Sequence, residues 1–285
     1  MYFISFCWIL DDDMPSKEVV RDIQKMQVQK QTVEMADAHC HLEFFPDTGP
    51  ILAAVHYGVL TMVTNGVNLA TSKRAMELSD GKNVFAAIGI DPENALKIGD
   101  DELDDRLEEM NDFIKQNIGR IVAIGEIGLD YTKAKSFEGM AKQRTVFEHM
   151  LETAKSLKLP VSVHSRESLQ DIMDILEEKS MEQVHLHFFE GNAQQAKAAE
   201  RRGYMISIPP IESGKRMHVI KEVSIDHLMS ESDAPAVGET PIFVEKSVRM
   251  IAAAKGLPFE KTAETLTMNT KKFFNIHKKI GFMRG

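Results

Sequence analysis

The chain has 285 residues, 43% of them hydrophobic and 27% charged, which is the profile of an ordinary globular protein with a core large enough to need no staples. Its formal net charge is -9, from 34 Lys and Arg against 43 Asp and Glu, which excludes a broad basic surface that holds nucleic acid by counterion release. Two cysteines, Cys7 and Cys40, with no C-x-x-C motif, exclude a disulfide framework and fit a reducing cytoplasm, and no apolar run is long enough to span a membrane.

Residues 1–32 read as an N-terminal extension, set apart from a body at 33–285. Positions 1–10 are apolar, but Asp11, Asp12 and Asp13 follow with no basic leader and no small-residue cleavage site, so no secretory signal is expected. Residues 17–31 carry helical spacing at Val20, Ile23 and Val28, which predicts either a helix or a poorly ordered tail. From there the pattern changes. Strand-type apolar runs recur at 32–38, 60–67, 84–90, 120–127, 160–164, 183–189, 204–208 and 227–232. Helical periodicity fills 71–79, 101–116, 137–157, 169–178, 193–202 and 214–223, and two closing helices follow at 244–254 and 259–279. Eight near-continuous apolar strands alternating with helices predict an α/β protein with a parallel sheet, closed as a (β/α)8 TIM-type barrel. An open doubly wound sheet is the competing architecture. No G-x-G-x-x-G follows the first strand, which weakens its dinucleotide-binding version.

In such a barrel, chemistry sits at the C-terminal ends of the strands. The first strand ends Asp37-Ala38-His39-Cys40-His41, and alternation puts Asp37, His39 and His41 on one face. Two imidazoles two apart can hold one cation together; on that spacing alone, two loop histidines fit equally well. Glu126 ends the fourth run between two glycines, where a carboxylate can bridge two cations or cap the next loop. His164 ends the fifth run, and Arg166, two residues on, offers a planar fork for a phosphate or carboxylate. The sixth run holds His185 and His187; His187 is nearer the strand end, and His185 is expected one layer deeper. Asp233 ends the eighth run on the same face as Glu231, where it can serve as a general base or cap the turn before Pro235. The conjunction decides between these readings. Four histidines and two carboxylates converge on one rim and suit two divalent cations a few ångströms apart, an arrangement that activates water in phosphoester and amide hydrolysis.

These motifs together resemble the TatD-like metal-dependent hydrolases of the amidohydrolase superfamily, over residues 34–275. The likeness is carried by 37–42, by 125–130, by 163–166, by 187–191 and by 231–235, with Gln143, Phe147, Asn269 and Phe273 also in place. It implies a two-metal barrel that hydrolyses phosphoesters, often as a deoxyribonuclease acting 3′ to 5′. It implies His39, His41, Glu126 and Asp233 on one metal, and Glu126, His164 and His187 on the other. Zinc, manganese, magnesium, nickel and iron all suit such donors. The chain departs from the family after the third strand, where Asp91-Pro92-Glu93 stands in place of the usual His-Pro-His. Acids there repel phosphate unless a cation intervenes.

Three functions are therefore carried forward. The first is a metal-dependent phosphoester hydrolase, with DNA among its substrates, in which Asp233 takes a proton from water and Arg166 steadies the substrate. The second uses the same centre on an ester, lactone or amide, with Asp91 and Glu93 contacting its amine or hydroxyl groups. The third is a non-catalytic barrel scaffold that binds through the extension. Sequence sets neither the oligomeric state nor the substrate.

Overall fold

The computed structural model describes residues 33–276. The expected helix or tail at 17–31 and the last residues of the 259–279 helix lie outside them. Eight parallel strands stand in chain order: β1 (Met35–Cys40), β2 (Val59–Gly66), β3 (Val84–Ile88), β4 (Ile121–Asp130), β5 (Val161–Arg166), β6 (Val184–Leu186), β7 (Met205–Ile208) and β8 (Leu228–Ser230). Between and after them run α1 (Gly49–His56), α2 (Leu69–Leu78), α3 (Pro92–Lys97), α4 (Leu103–Asn117), α5 (Phe137–Leu157), α6 (Leu169–Glu178), α7 (Ala193–Arg201), α8 (Gly214–Glu222), α9 (Val244–Lys255) and α10 (Phe259–Phe273). This is the (β/α)8 barrel that the alternation predicts. Two short helices, α1 and α3, were not expected from periodicity, because each spans too few turns to show a period.

Ladders join each strand to the next from β1 to β8. The last gap closes by a different set of bonds. Ser230 Oγ donates to Ala36 O at 2.9 Å, Asp233 N to His39 O at 3.0 Å, and His41 N to Ala234 O at 2.7 Å. Asp37 is part of this seam: its carboxylate accepts from Ser232 N at 2.8 Å and Ser232 Oγ at 2.5 Å. The register with β2 shifts between Asp37 and Cys40. The strict alternation expected for 37, 39 and 41 therefore fails at its first member, and Asp37 serves the barrel wall.

Side chains sort into two cores. Met62, Val84, Ala86, Ile88, Ile124, Val161 and Val163 pack outward with Met110, Phe147 and Leu151 of the helices. Val63, Phe85, Ala87, Val122, Met205 and Met229 form a smaller cluster inside the ring, joined by Phe274 just after α10. Phe147 and Phe274 are fully buried, so truncating either costs about 3–5 kcal/mol. The apolar plug occupies one layer of the interior, and the polar strand ends sit above it.

Capping fixes where several helices begin. Asn68 and Thr71 form a reciprocal capping box on α2, and Asn192 and Gln195 do the same on α7. Ser136 accepts from Gly139 N at the start of α5. One glycine is required by position. Gly128 has φ +144, and a Cβ there would lie 2.0 Å from His164 O, so β4 and β5 approach as they do only because residue 128 lacks a side chain.

Candidate metal centre

Six side chains meet at the strand ends. Glu126, on β4, lies at the middle with 5% exposure. Its Oε2 is 3.5 Å from His39 Nε2 and 3.3 Å from His41 Nε2. Its Oε1 is 2.8 Å from His164 Nδ1 and 3.2 Å from His187 Nε2. Asp233 Oδ1 joins the first pair, 3.9 Å from His39 Nε2 and 3.6 Å from His41 Nε2. One carboxylate thus faces two separate histidine pairs with two separate oxygens. Three overlapping sets of side chains here offer donor atoms within 4.8 Å of one another. All six residues named in the sequence reading are brought together.

Local structure explains each placement. β1 ends at Cys40, and the chain turns at once into a 3-10 turn (Leu42–Phe44), which leaves His41 at the rim beside His39. β6 is shorter than its apolar run. It stops at Leu186, because Phe188 takes φ 47 and its N–H turns to Glu231 Oε1 at 2.8 Å. His187 is therefore the first residue of a turn and not part of a strand. Asp233 also has a positive φ, 49, which swings its carboxylate back over the rim.

Carboxylates outside the cluster orient the imidazoles. His41 Nδ1 donates to Asn65 O at 2.9 Å and lies 3.0 Å from Glu43 Oε1, which leaves Nε2 aimed at Glu126. His164 Nε2 lies 3.3 Å from Asp130 Oδ2. His187 Nδ1 faces Glu231 Oε2 at 3.7 Å. Such outer partners fix tautomer and ring direction. Sequence reasoning assigned no role to Glu43 or Asp130. The one signal for them was an acid two or four positions beyond a strand-end donor.

Electrostatics follow from burial against these pairings. Burial opposes the charge on Glu126, but His187, His164 and His39 outweigh it and hold the carboxyl well below its usual range. Burial likewise opposes charge on His164 and His187. The Asp130 and Glu126 carboxylates raise His164 to about 9, and Glu126 and Glu231 raise His187 to about 10. His39 goes the other way, lowered first by burial and then by His187. Asp233 is pushed up to about 6, mainly by burial. Asp130 is held at about 2; burial works against this, and the His164 and Thr132 hydrogen bonds prevail.

A cleft of about 980 Å³ opens over the cluster and is lined by His41, Asp91, Glu93, Arg166 and Asp233 among others. Arg166 is exposed and makes no ion pair among the described residues. The two acids of the departed motif have local duties. Asp91 caps α3, accepting from Asn94 N at 2.7 Å, and burial raises it to about 6. Glu93 pairs with Lys97 at 3.1 Å and Lys133 at 2.9 Å. Two lysines on one carboxylate compensate its charge, so the repulsion of phosphate expected from Glu93 is offset.

A family model described as TatD related DNase matches residues 36–275. The chain belongs to the TatD-related DNase family. Human deoxyribonuclease TATDN3 is 32% identical to it over 261 residues, which cover 85% of this chain and 95% of that protein. An uncharacterized metal-dependent hydrolase of Bacillus subtilis, YabD, is 30% identical, covering 85% of this chain and 99% of its own. Among solved structures, the Escherichia coli TatD homologue YjjV superposes with a TM-score of 0.76 at 24% identity, covering 86% of this chain and 99% of its own. That likeness concerns the fold.

Within this TatD-family barrel, Gln143 and Asn269 are structural. Gln143 accepts from Asp130 N at 3.0 Å and donates to Pro92 O at 3.0 Å, tying α5 to the end of β4 and the start of α3. Asn269 donates to Ile225 O and Leu228 O, both at 2.8 Å, and anchors α10 under β8.

Proposed function

We propose that the protein is a divalent-metal-dependent phosphoester hydrolase with DNA among its substrates, and that Glu126 bridges two ions. His39, His41 and Asp233 complete one site in this reading, and His164 and His187 the other. The observation that carries it is the division of Glu126: Oε2 toward one histidine pair, Oε1 toward the other. The donor set fits. Imidazole nitrogens and carboxylate oxygens in a buried cluster match zinc, manganese or iron, with nickel and magnesium also admissible.

Divalent ions held by these residues would supply an activated water and polarise the scissile phosphoester. The chain's own residues do the rest. Asp233, whose carboxylate lies at the rim beside His39 and His41, would accept a proton from water there and hold it. Arg166 at the cleft rim directs its guanidinium toward substrate phosphate. Lys133 and Lys97 add positive charge beside it. The names of the human and bacterial relatives support the reaction class. A reducing compartment is proposed from Cys40, a buried free thiol; among the described residues no helix is long and apolar enough to cross a membrane.

The test is a panel of single-stranded DNA, a generic phosphodiester and carboxylic esters, each with added manganese, run alongside elemental analysis. Phosphodiester cleavage that disappears in Glu126→Ala supports the proposal. Turnover of esters alone would overturn the substrate assignment, and full activity in Glu126→Ala would overturn the bridged centre.

A further inference from the structure

Beneath the cluster, a row of buried polar groups crosses the barrel. Glu231 is fully buried, and its Oε2 lies 2.6 Å from Ser207 Oγ. Ser207 Oγ lies 2.7 Å from His185 Nε2. His185 Nδ1 lies 3.2 Å from Ser162 Oγ, and Ser162 Oγ lies 3.4 Å from His39 Nδ1. Five strands contribute or adjoin these links, and the rings of Phe273 and Phe274 close the space around His185 at 6.1 and 5.9 Å.

Only one direction of donation fits this row. A carboxylate oxygen accepts and cannot donate, so the Ser207 hydroxyl gives its hydrogen to Glu231. Ser207 then presents a lone pair to His185 Nε2, which must carry the ring's hydrogen. His185 is fully buried and touches only two hydroxyls and aromatic rings, with no carboxylate against it to balance a charge, so the ring is neutral and its Nδ1 is bare. Nδ1 accepts from the Ser162 hydroxyl, and Ser162 in turn offers a lone pair to His39 Nδ1. The reverse direction would put a hydrogen on His39 Nε2, toward Glu126 Oε2 at 3.5 Å. It would also leave two oxygens, on Ser207 and Glu231, 2.6 Å apart with no hydrogen between them. That is the costlier arrangement in a buried site.

We propose that Glu231, relayed through Ser207, His185 and Ser162, locks His39 as the Nδ1–H tautomer and so turns its bare Nε2 toward His41, Glu126 and Asp233. His185 and Ser207 are positioning residues; neither meets the cleft. Glu231 also lies 3.7 Å from His187 Nδ1, an ion-pair distance beyond hydrogen-bond reach, so the relay acts on His39. The benefit to metal binding rests on the reading above. The tautomer does not, since it follows from the hydrogen bonds and the burial of His185.

The experiment uses the full-length protein, 15N-labelled and stripped of metal, with imidazole tautomers read from long-range proton–nitrogen spectra. His39 in the unsubstituted protein is expected almost wholly in the Nδ1–H form. Ser207→Ala and His185→Phe are expected to give a mixture of both forms at His39, with the fold intact by thermal unfolding. Ser162→Ala breaks the same row one link nearer and gives the same result where either variant fails to fold. Zinc titration should then show one site weakened about tenfold to a hundredfold and the other little changed in Ser207→Ala. An Nε2–H form dominating in the unsubstituted protein, or a tautomer unmoved in all three variants, overturns the proposal. Absence of zinc binding with the expected tautomers overturns the metal reading and leaves the relay standing.

Discussion

His39 and His187 lie face to face, with ring centroids 3.7 Å apart and planes within 7° of parallel. They come from positions 148 residues apart, and both are buried. Two stacked cations at that distance would repel strongly, and the pair resolves this by asymmetry. His187 is raised to about 10 against its burial, while His39 is lowered by burial and by His187 itself. In the metal-free protein at neutral pH, His187 and His164 carry protons that a cation must displace. Metal binding should therefore release more than one proton per chain, and apparent affinity should rise between about pH 6 and about pH 9. Calorimetric titration in two buffers of different ionisation heat measures this; a release of zero counts against it.

The same shifts set the stability of the metal-free protein. Both histidines sit above the free imidazole value of 6.5. Their contribution is present in full below about pH 6.5 and is lost as pH climbs through about 9 and about 10. Asp91 and Asp233, raised to about 6, act in the same sense, and lose their contribution as pH rises through that value. Tm of metal-free protein should fall on going from neutral to alkaline pH. Saturating zinc should flatten that slope. Equal slopes with and without the ion would contradict the assignment of these histidines to a metal centre.

Glu126→Gln keeps the shape of the side chain and removes its charge. Four imidazole nitrogens then face an amide that can bridge nothing. We expect metal content to fall below one ion per chain and turnover to drop by at least about 100-fold, as changes closest to a metal exceed those one step removed. Elemental analysis of the purified variant decides this.

Arg166 stands at the cleft rim and makes no ion pair among the described residues. Arg166→Ala should raise KM for a phosphodiester by roughly 10- to 100-fold, the worth of a charge-assisted hydrogen bond, with metal content unchanged. A variant with unaltered KM removes Arg166 from substrate binding.

Gln143 satisfies one donor at the end of β4 and one acceptor at the start of α3. Gln143→Leu leaves Asp130 N–H and Pro92 C=O unpaired in a buried setting. The expected loss is about 2 kcal/mol for the pair or somewhat more, read from urea unfolding. A loss within error of zero would show that water replaces the amide.

Much of this was legible along the chain. The eight apolar runs and their helical intervals specify a parallel sheet covered by helices, because strands covered on both faces must be apolar throughout, and their number points to a closed barrel. The residues at the ends of those runs, His39, His41, Glu126, His164, His187 and Asp233, mark the chemistry for the same reason: a polar residue closing a buried strand has few places to go but the rim. Other features were not legible. Nothing in the order of residues says that Asp37 leaves the face of His39 for Ser232, since a register shift depends on the neighbouring strand. Nor does it say that Glu93 is paired with Lys133, 40 positions away, and so has its effect on phosphate offset. The partnership of Asp130 with His164, and the row from Glu231 to His39, join strands brought side by side only by closure of the barrel. Sequence by itself determined which side chains stand at the strand ends. Tertiary structure alone decided which way each one points, because hydrogen-bond direction and charge compensation are set by neighbours in space.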